Sequence, residues 1–317
     1  MKDNPLRRFC RGLMDKYGEL TLVGSDVLAA EFVGEFSLEP RFSLATLSSL
    51  AERVGISELL AAALPEGLAG LHASREDSWA IYYDYSSRGT RPHATILHEI
   101  YEIIWHHLRD LGATRQADAA GAEREAERFA AAVLLPAEEF RIDALRMGFD
   151  VVSLQRAWRR SYPLVARRLQ ELFEAEMALS VVIFETPYFG PNLRLSDPGK
   201  GFQAEVSCSV WTAGWLPVGW CRRQEVFPLP RRGAALDRHS VCAEAYRRRK
   251  PIAVEAAVDC PHRHAHSAIV AIRHQRFRGS GFRIVAVGVG QKDTDRILPL
   301  LQLLGGVDRK VPAGTLW

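Results

Sequence analysis

The chain has 317 residues, of which 47% are hydrophobic and 25% are charged, and this length and composition fit a globular protein of about two domains. They exclude a disordered tail and a disulfide-stapled miniprotein. The 41 Lys and Arg residues against 38 Asp and Glu residues give a formal net charge of +3, which by itself indicates neither a nucleic-acid nor a membrane partner. The 5 scattered cysteines contain no Cys-x-x-Cys pair and fit a reducing compartment.

The N-terminal residues carry charge but are not followed by the apolar stretch of a secretory signal. The longest apolar runs, such as residues 177–184, are far shorter than a membrane span. We therefore expect a soluble, cytoplasmic protein without a membrane partner.

Helix and strand patterns become clear after residue 43. Residues 1–43 show no sharp hydrophobic period and are treated as an N-terminal lead-in. The apolar residues of 44–54 recur at helical spacing until Gly55, and the aromatic run at 79–83 predicts one or two strands between Gly70 and Tyr85. Two helices follow, at 97–111 and 123–136, the second closed by Pro136.

The helix at 97–111 carries a polar face with metal-binding chemistry. His98, Glu102 and His106 are spaced i, i+4 and i+8, so their side chains lie along one face about a turn apart. Two ligands at i and i+4 can hold a divalent metal, and Glu99 beside the first would act as general base toward a metal-bound water. His93 and His107 are expected at the surface.

The third ligand is expected from the start of the next helix. Glu123, Glu125 and Glu127 all stand there, and any of them could bind the metal. Glu125 is spaced i, i+4 with Phe129 and lies nearest the buried side, so we prefer it to Glu123.

From about residue 44 to 172 the sequence resembles the ImmA/IrrE family of zinc-dependent endopeptidases, through two blocks in the family's order. Thr95 precedes His98-Glu99 by the family's spacing, with a further histidine at His106. The second block runs from Glu125-Ala126 through Phe129-Ala130 to Leu134 and Pro136. The resemblance implies a zincin-like fold and the cleavage of a helix-turn-helix transcriptional repressor, which would switch on stress or mobile-element genes.

The sequence departs from the family at two adjacent positions. Glu102 replaces the second histidine ligand, and Tyr101 replaces the small residue usual there. One histidine and two glutamates make a harder, more anionic site, which would bind zinc less selectively and tolerate manganese or iron. Three interpretations stay open: an enzyme with an altered metal, a metal-binding sensor, and a pseudopeptidase that keeps only the fold.

Residues 137–175 are predicted to be helical, with a helix-turn-helix-like pair at 151–160 and 162–173. This pair carries five arginines as candidate DNA-binding or partner-binding residues: Arg156, Arg159, Arg160, Arg167 and Arg168. The alternative is a packed helical pair with a solvated basic face, and DNA is the less favoured partner.

Residues 176–317 alternate strands and helices in an order similar to GAF-type sensor domains, which implies a small-ligand pocket. Strands are predicted at 179–184, 202–211, 252–258, 267–273 and 283–289, and helices at 239–249 and 293–304. Cys260, His262, His264 and His266 alternate, and we interpret them as a polar turn in preference to a metal site.

The sequence thus predicts an α+β protein with four segments: a lead-in at 1–43, a metallopeptidase-like domain at 44–136, a helical segment at 137–175 and a GAF-like domain at 176–317. The expected function is metal-dependent cleavage of a helix-turn-helix repressor. The alternative is a non-catalytic regulator that senses a metal or a ligand.

Overall fold

The computed structural model gives the protein a mixed α+β architecture, divided into two compact units. The first unit comprises Met1–Phe140 and Trp158–Ser161, and the second comprises Arg141–Ala157 and Tyr162–Trp317. The described residues are 4–18, 24–39, 41–75, 78–85, 91–113, 119–173, 175–177, 179–185, 209–211, 239–248, 250–260, 263–275, 282–290, 293–295 and 310–312.

The first unit places helices around a small three-stranded sheet. Its elements are α1 (Pro5–Tyr17), α2 (Ser25–Glu35), α3 (Leu44–Arg53), β1 (Ile56–Ala62), β2 (Gly70–Arg75), β3 (Ser78–Asp84), α4 (Arg91–Asp110) and α5 (Ala119–Leu134), and α6 (Ala137–Arg146) begins in it. The strand order is β1-β3-β2, with β1 and β3 parallel and β2 and β3 antiparallel. Helix α4 packs against β2, β3, α1 and α5, so it lies at the centre of the unit.

The predicted helices and strands of this unit are confirmed. Ser43 caps α3 with a capping box, and Gly55 follows the helix with a φ of +86°, a conformation that glycine adopts at no steric cost. The aromatic run at 79–83 lies in β3.

The lead-in, in which no sharp hydrophobic period is visible, forms helices α1 and α2. Asn4 caps α1 by accepting hydrogen bonds from the backbone N–H groups of Leu6 and Arg7, and Pro5 occupies the first turn. The helix buries one stripe at i, i+3, i+4 and i+7, formed by Leu6, Phe9, Cys10 and Leu13.

Both N-terminal helices contribute to the core of the first unit. Phe32 of α2 is fully buried, with ring centroids 5.9 Å from Phe9, 4.9 Å from Phe36 and 5.5 Å from Phe129 of α5. The Cys10 thiol contacts the Ile104 carbonyl of α4 at 3.6 Å. The segment is therefore part of the packed domain.

The second unit contains a six-stranded, mostly antiparallel sheet. Its elements are α7 (Val151–Trp158), whose last residue belongs to the first unit, α8 (Tyr162–Phe173), β4 (Leu179–Glu185), β5 (Ser209–Trp211), α9 (Val241–Arg248), β6 (Ile252–Cys260), β7 (Arg263–Gln275), β8 (Phe282–Val289) and β9 (Lys310–Pro312). The strand order is β5-β4-β8-β7-β6-β9, and of the described pairs in this sheet only β6 and β9 are parallel. Helix α9 packs against β6, β7 and β8.

The predicted strands at 179–184, 252–258, 267–273 and 283–289 and the helix at 239–249 are confirmed. Most of the strand predicted at 202–211 and most of the helix predicted at 293–304 lie outside the described residues, as does His262. The interpretation of Cys260, His264 and His266 as a polar turn is wrong, because Cys260 ends β6 and both histidines lie in β7, paired with β6. None of the described helices has the length and hydropathy needed to cross a membrane.

Candidate functional site

The face of α4 that carries His98, Glu102 and His106 is less buried than the opposite stripe. These three side chains are partly exposed, whereas Leu97 and Ile100 are fully buried. The 3.6-residue period thus separates a polar face from an apolar one, as the sequence predicts.

Glu99 is buried and bonded to a histidine of the sheet. It is 7% exposed, and its Oε2 lies 2.7 Å from Nδ1 of His72 on β2. A Cβ atom at Gly70 would lie 2.9 Å from Glu99 Oε1 and 2.4 Å from Thr95 Cγ2, so the backbone of β2 approaches α4 closely here. Because Gly70 has no side chain, His72 on the same strand can approach the Glu99 carboxylate, which is the expected general base.

Glu125 is hydrogen-bonded to the tyrosine that departs from the family pattern. The Tyr101 hydroxyl donates to Glu125 Oε2 at 2.8 Å, and Tyr101 is 2% exposed. Its ring lies 6.1 Å from Trp105 and 5.4 Å from Phe129, centroid to centroid. The hydrogen bond that joins α4 to α5 is therefore made by a tightly packed tyrosine side chain.

His98 lies near the glutamate that the sequence analysis ranked second. His98 Nε2 is 3.6 Å from Glu123 Oε2, and the Glu123 side chain is 63% exposed. Burial, together with His72 and Arg109, holds the pKa of His106 below its ordinary value, and Glu102 and Asp110 partly oppose this shift.

These side chains do not fit a bound zinc ion in this arrangement. A catalytic zinc needs three converging protein ligands with one position left open. Among the residues that the structure describes, no three His, Cys, Asp or Glu side chains are placed to hold a metal. Glu99 and Glu125 instead direct an oxygen at a protein hydrogen-bond partner.

Beside Glu99, histidines cluster around Trp79 of β3. The His106 ring centroid lies 5.2 Å from both His72 and Trp79, and Arg109 Nη2 lies 3.0 Å from His106 Nδ1. Trp79 Nε1 donates to His107 Nε2 at 3.3 Å. Sequence reasoning missed His72, because a single histidine in a short strand gives no signal before its partner across the fold is known.

The expectation that His93 and His107 lie at the surface is wrong. They are 7% and 8% exposed, respectively. The Phe42 ring lies 6.2 Å from the His93 ring, and α1 covers a further side of α4. A helix enclosed on several sides buries polar positions that a single amphipathic stripe would leave in solvent.

We expect the stability of the protein to fall as the pH is lowered below about 6.5, the ordinary pKa of histidine. Burial lowers the pKa of His107, while Asp110 opposes this shift and Arg7 and His106 add to it. The unfolded state then binds more protons than the native state, so stability is complete above the unfolded pKa and is lost as the pH falls toward the folded pKa. Urea unfolding at several pH values measures this loss.

The matched variant for this prediction is His107→Gln, whose amide oxygen can still accept from Trp79 but does not titrate in this range. Its unfolding free energy should depend less steeply on pH than that of the wild type. If the unfolding free energies of the variant and the wild type depend equally on pH, the loss of stability does not come from His107.

Three of the five candidate arginines are engaged within the protein. Arg160 is 2% exposed and its guanidinium lies 5.1 Å from the centre of the Phe42 ring; burial lowers its pKa to about 10. Arg167 Nε lies 2.9 Å from Glu171 Oε1, and Arg168, 1% exposed, pairs with the same carboxylate at 3.5 Å. These three contribute to packing and internal ion pairs.

Arg156 and Arg159 are exposed and belong to different units. DNA binding through this segment stays a prediction that now depends on these two side chains.

Comparison with known proteins identifies a family domain and a fold. Residues 49–170 match the family model of peptidase M78, described as the IrrE N-terminal-like domain. No curated protein matches the chain. Among solved structures, it is similar to a Mycobacterium tuberculosis transcriptional regulator, at a TM-score of 0.53 and 13% identity, over 98% of this chain and 90% of that one. The domain match supports a metallopeptidase-like or regulator-type role, and the structural likeness concerns the fold.

Proposed function

We propose that the protein is a non-catalytic regulator of transcription or signalling built on an IrrE-like domain. The observation that carries this proposal is the part-buried bond between Glu99 and His72, which is 2.7 Å long and lies where the backbone of Gly70 approaches Glu99. A general base must reach a proton on the attacking water. In this protein, the carboxylate expected in that role is used to hold β2 against α4.

The fold supports a regulatory role. One solved structure that shares the architecture over nearly the whole chain is titled a transcriptional regulator. We therefore assign the regulatory output to the protein as a whole, acting in the cytoplasm through a protein partner, such as a helix-turn-helix repressor.

The second unit would supply the regulatory input. Its sheet carries α9 against the central strands β6, β7 and β8. This arrangement, together with the similarity of the sequence order to GAF-type domains, supports a small-molecule ligand as the signal.

A metal-dependent endopeptidase is the second candidate, because the family model covers the segment with His98 and Glu99. In that case zinc, manganese or iron would be held by His98, Glu102 and Glu125, and the substrate would be the repressor. This function requires the side chains of α4 and α5 to rearrange, since no three potential ligands converge among the described residues.

Glu99→Gln separates the two candidates. Glutamine keeps an oxygen that accepts from His72 but cannot act as a base. In cells lacking the native gene, complementation with wild type or Glu99→Gln should restore the same transcript profile, measured by RNA sequencing. Neither protein should cleave a proteome-derived peptide library in the presence of added zinc or manganese, measured by mass spectrometry.

Two results would overturn the proposal that the protein is a non-catalytic regulator. One is an unchanged transcript profile after deletion of the gene. The other is metal-dependent cleavage by the wild type that Glu99→Gln abolishes while its thermal unfolding stays the same.

A further inference from the structure

We propose that the Tyr101–Glu125 hydrogen bond takes the place of a metal ion as the link between α4 and α5, which makes the fold of the first unit independent of divalent metal. This inference rests on the proposed function and adds a structural role for the replacement at position 101. Tyr101 is a positioning residue, because it acts by fixing the carboxylate of Glu125.

The first argument is the packing of the tyrosine ring. Trp105 of α4 lies at its edge, and Phe129, one turn after Glu125 on α5, packs against it at 5.4 Å. The ring cannot turn without opening the contact between the two helices. Its hydroxyl is therefore held where it meets Glu125 Oε2 at 2.8 Å.

The second argument is the cost of replacing this bond by a metal. A cation that took the place of the tyrosine hydroxyl on Glu125 Oε2 would leave a buried donor without its carboxylate acceptor, which is unfavourable. A small side chain at position 101, as the resembled family has, would impose no such cost. The tyrosine thus joins the helices and opposes metal binding at this oxygen.

The third argument is that the neighbouring ionisable groups already have partners. Glu99 is bonded to His72, and His98 lies 3.6 Å from Glu123. Glu99, Glu123 and Glu125 therefore each have a donor or a basic partner nearby without a cation, and the three contacts are made from positions 98, 99 and 101 of α4.

The experiment compares thermal unfolding of the full chain in EDTA, in zinc and in manganese. The wild-type Tm should be the same in all three, and metal analysis of the purified protein should find far less than one equivalent. Tyr101→Phe removes only the hydroxyl, so its Tm in EDTA should fall by about 2–4 °C. Zinc should restore part of this loss, because Glu125 is then available.

The matched control is Tyr82→Phe, which removes a hydroxyl bonded to Arg75 in the sheet. It should not create a response to zinc. A wild-type Tm that falls in EDTA or rises with metal would overturn the proposal, and so would a Tyr101→Phe protein as stable as the wild type. Should Tyr101→Phe not fold, zinc titration calorimetry on the wild type still decides, because one tight site contradicts the proposal.

Failure of this inference and failure of the proposed function give different results. A metal-stabilised wild type whose transcript profile survives Glu99→Gln overturns the metal-independent link alone. If Glu99→Gln abolishes peptide cleavage and the wild-type Tm is the same with and without EDTA, only the proposal of a non-catalytic regulator is overturned.

Discussion

Phe32→Ala is expected to lower the free energy of unfolding by about 3–5 kcal/mol, the usual cost of removing a buried aromatic ring from a core. Phe32 is 0% exposed and lies between Phe9 of α1 and Phe129 of α5. The truncation therefore leaves a cavity where three helices meet. Urea denaturation followed by circular dichroism measures the change.

A substitution on the exposed side of the same helix serves as control. Val27 of α2 is 43% exposed, and Val27→Ala should change stability by less than about 0.5 kcal/mol. Equal effects of the two variants would show that the N-terminal helices are not part of the core.

Gly70→Ala is expected to destabilise the protein by about 1–3 kcal/mol, because the added methyl overpacks the contact between β2 and α4. Its Cβ would lie 2.4 Å from Thr95 Cγ2, closer than atoms can approach. Relief requires β2 to move away from α4, which lengthens the bond between His72 and Glu99. Urea denaturation measures the stability, and amide hydrogen exchange of β2 measures the separation.

Gly12→Ala is the matched control, since a Cβ at Gly12 meets nothing within 4 Å. Gly12 lies inside α1, so alanine should stabilise the helix by about 0.5–1 kcal/mol. A stable Gly70→Ala protein with unchanged exchange in β2 would contradict the close approach described here.

The sequence predicted elements that carry their own periodic signal. Helix α4 is the best example, because its apolar stripe and its polar face at His98, Glu102 and His106 are both visible in the spacing of residues. Strands β4, β6, β7 and β8 of the second unit were predicted from their short apolar runs, whereas β9 was not predicted. These hydrophobic patterns depend only on residues close together in the sequence, so they can be recognised without knowledge of the tertiary contacts.

What the sequence missed depends on contacts between distant segments. His72 becomes informative only when β2 is placed against Glu99, 27 residues away in sequence. Tyr101 was identified as a departure from the family, but its acceptor Glu125 became evident only in the packed helix pair. The stripe of α1 was present in the sequence, yet it was short and preceded the first clear helix.

The order of strands in the second unit has a consequence for how the chain folds. Strands β6, β7 and β8 follow one another and pair as neighbours, so short loops close them. Strand β4 instead pairs with β8, with Leu179 opposite Val289, and this pairing must close a loop of about a hundred residues. Since long-range pairing slows folding, docking of β4 onto the preformed β6–β8 meander should be the late step that completes the sheet.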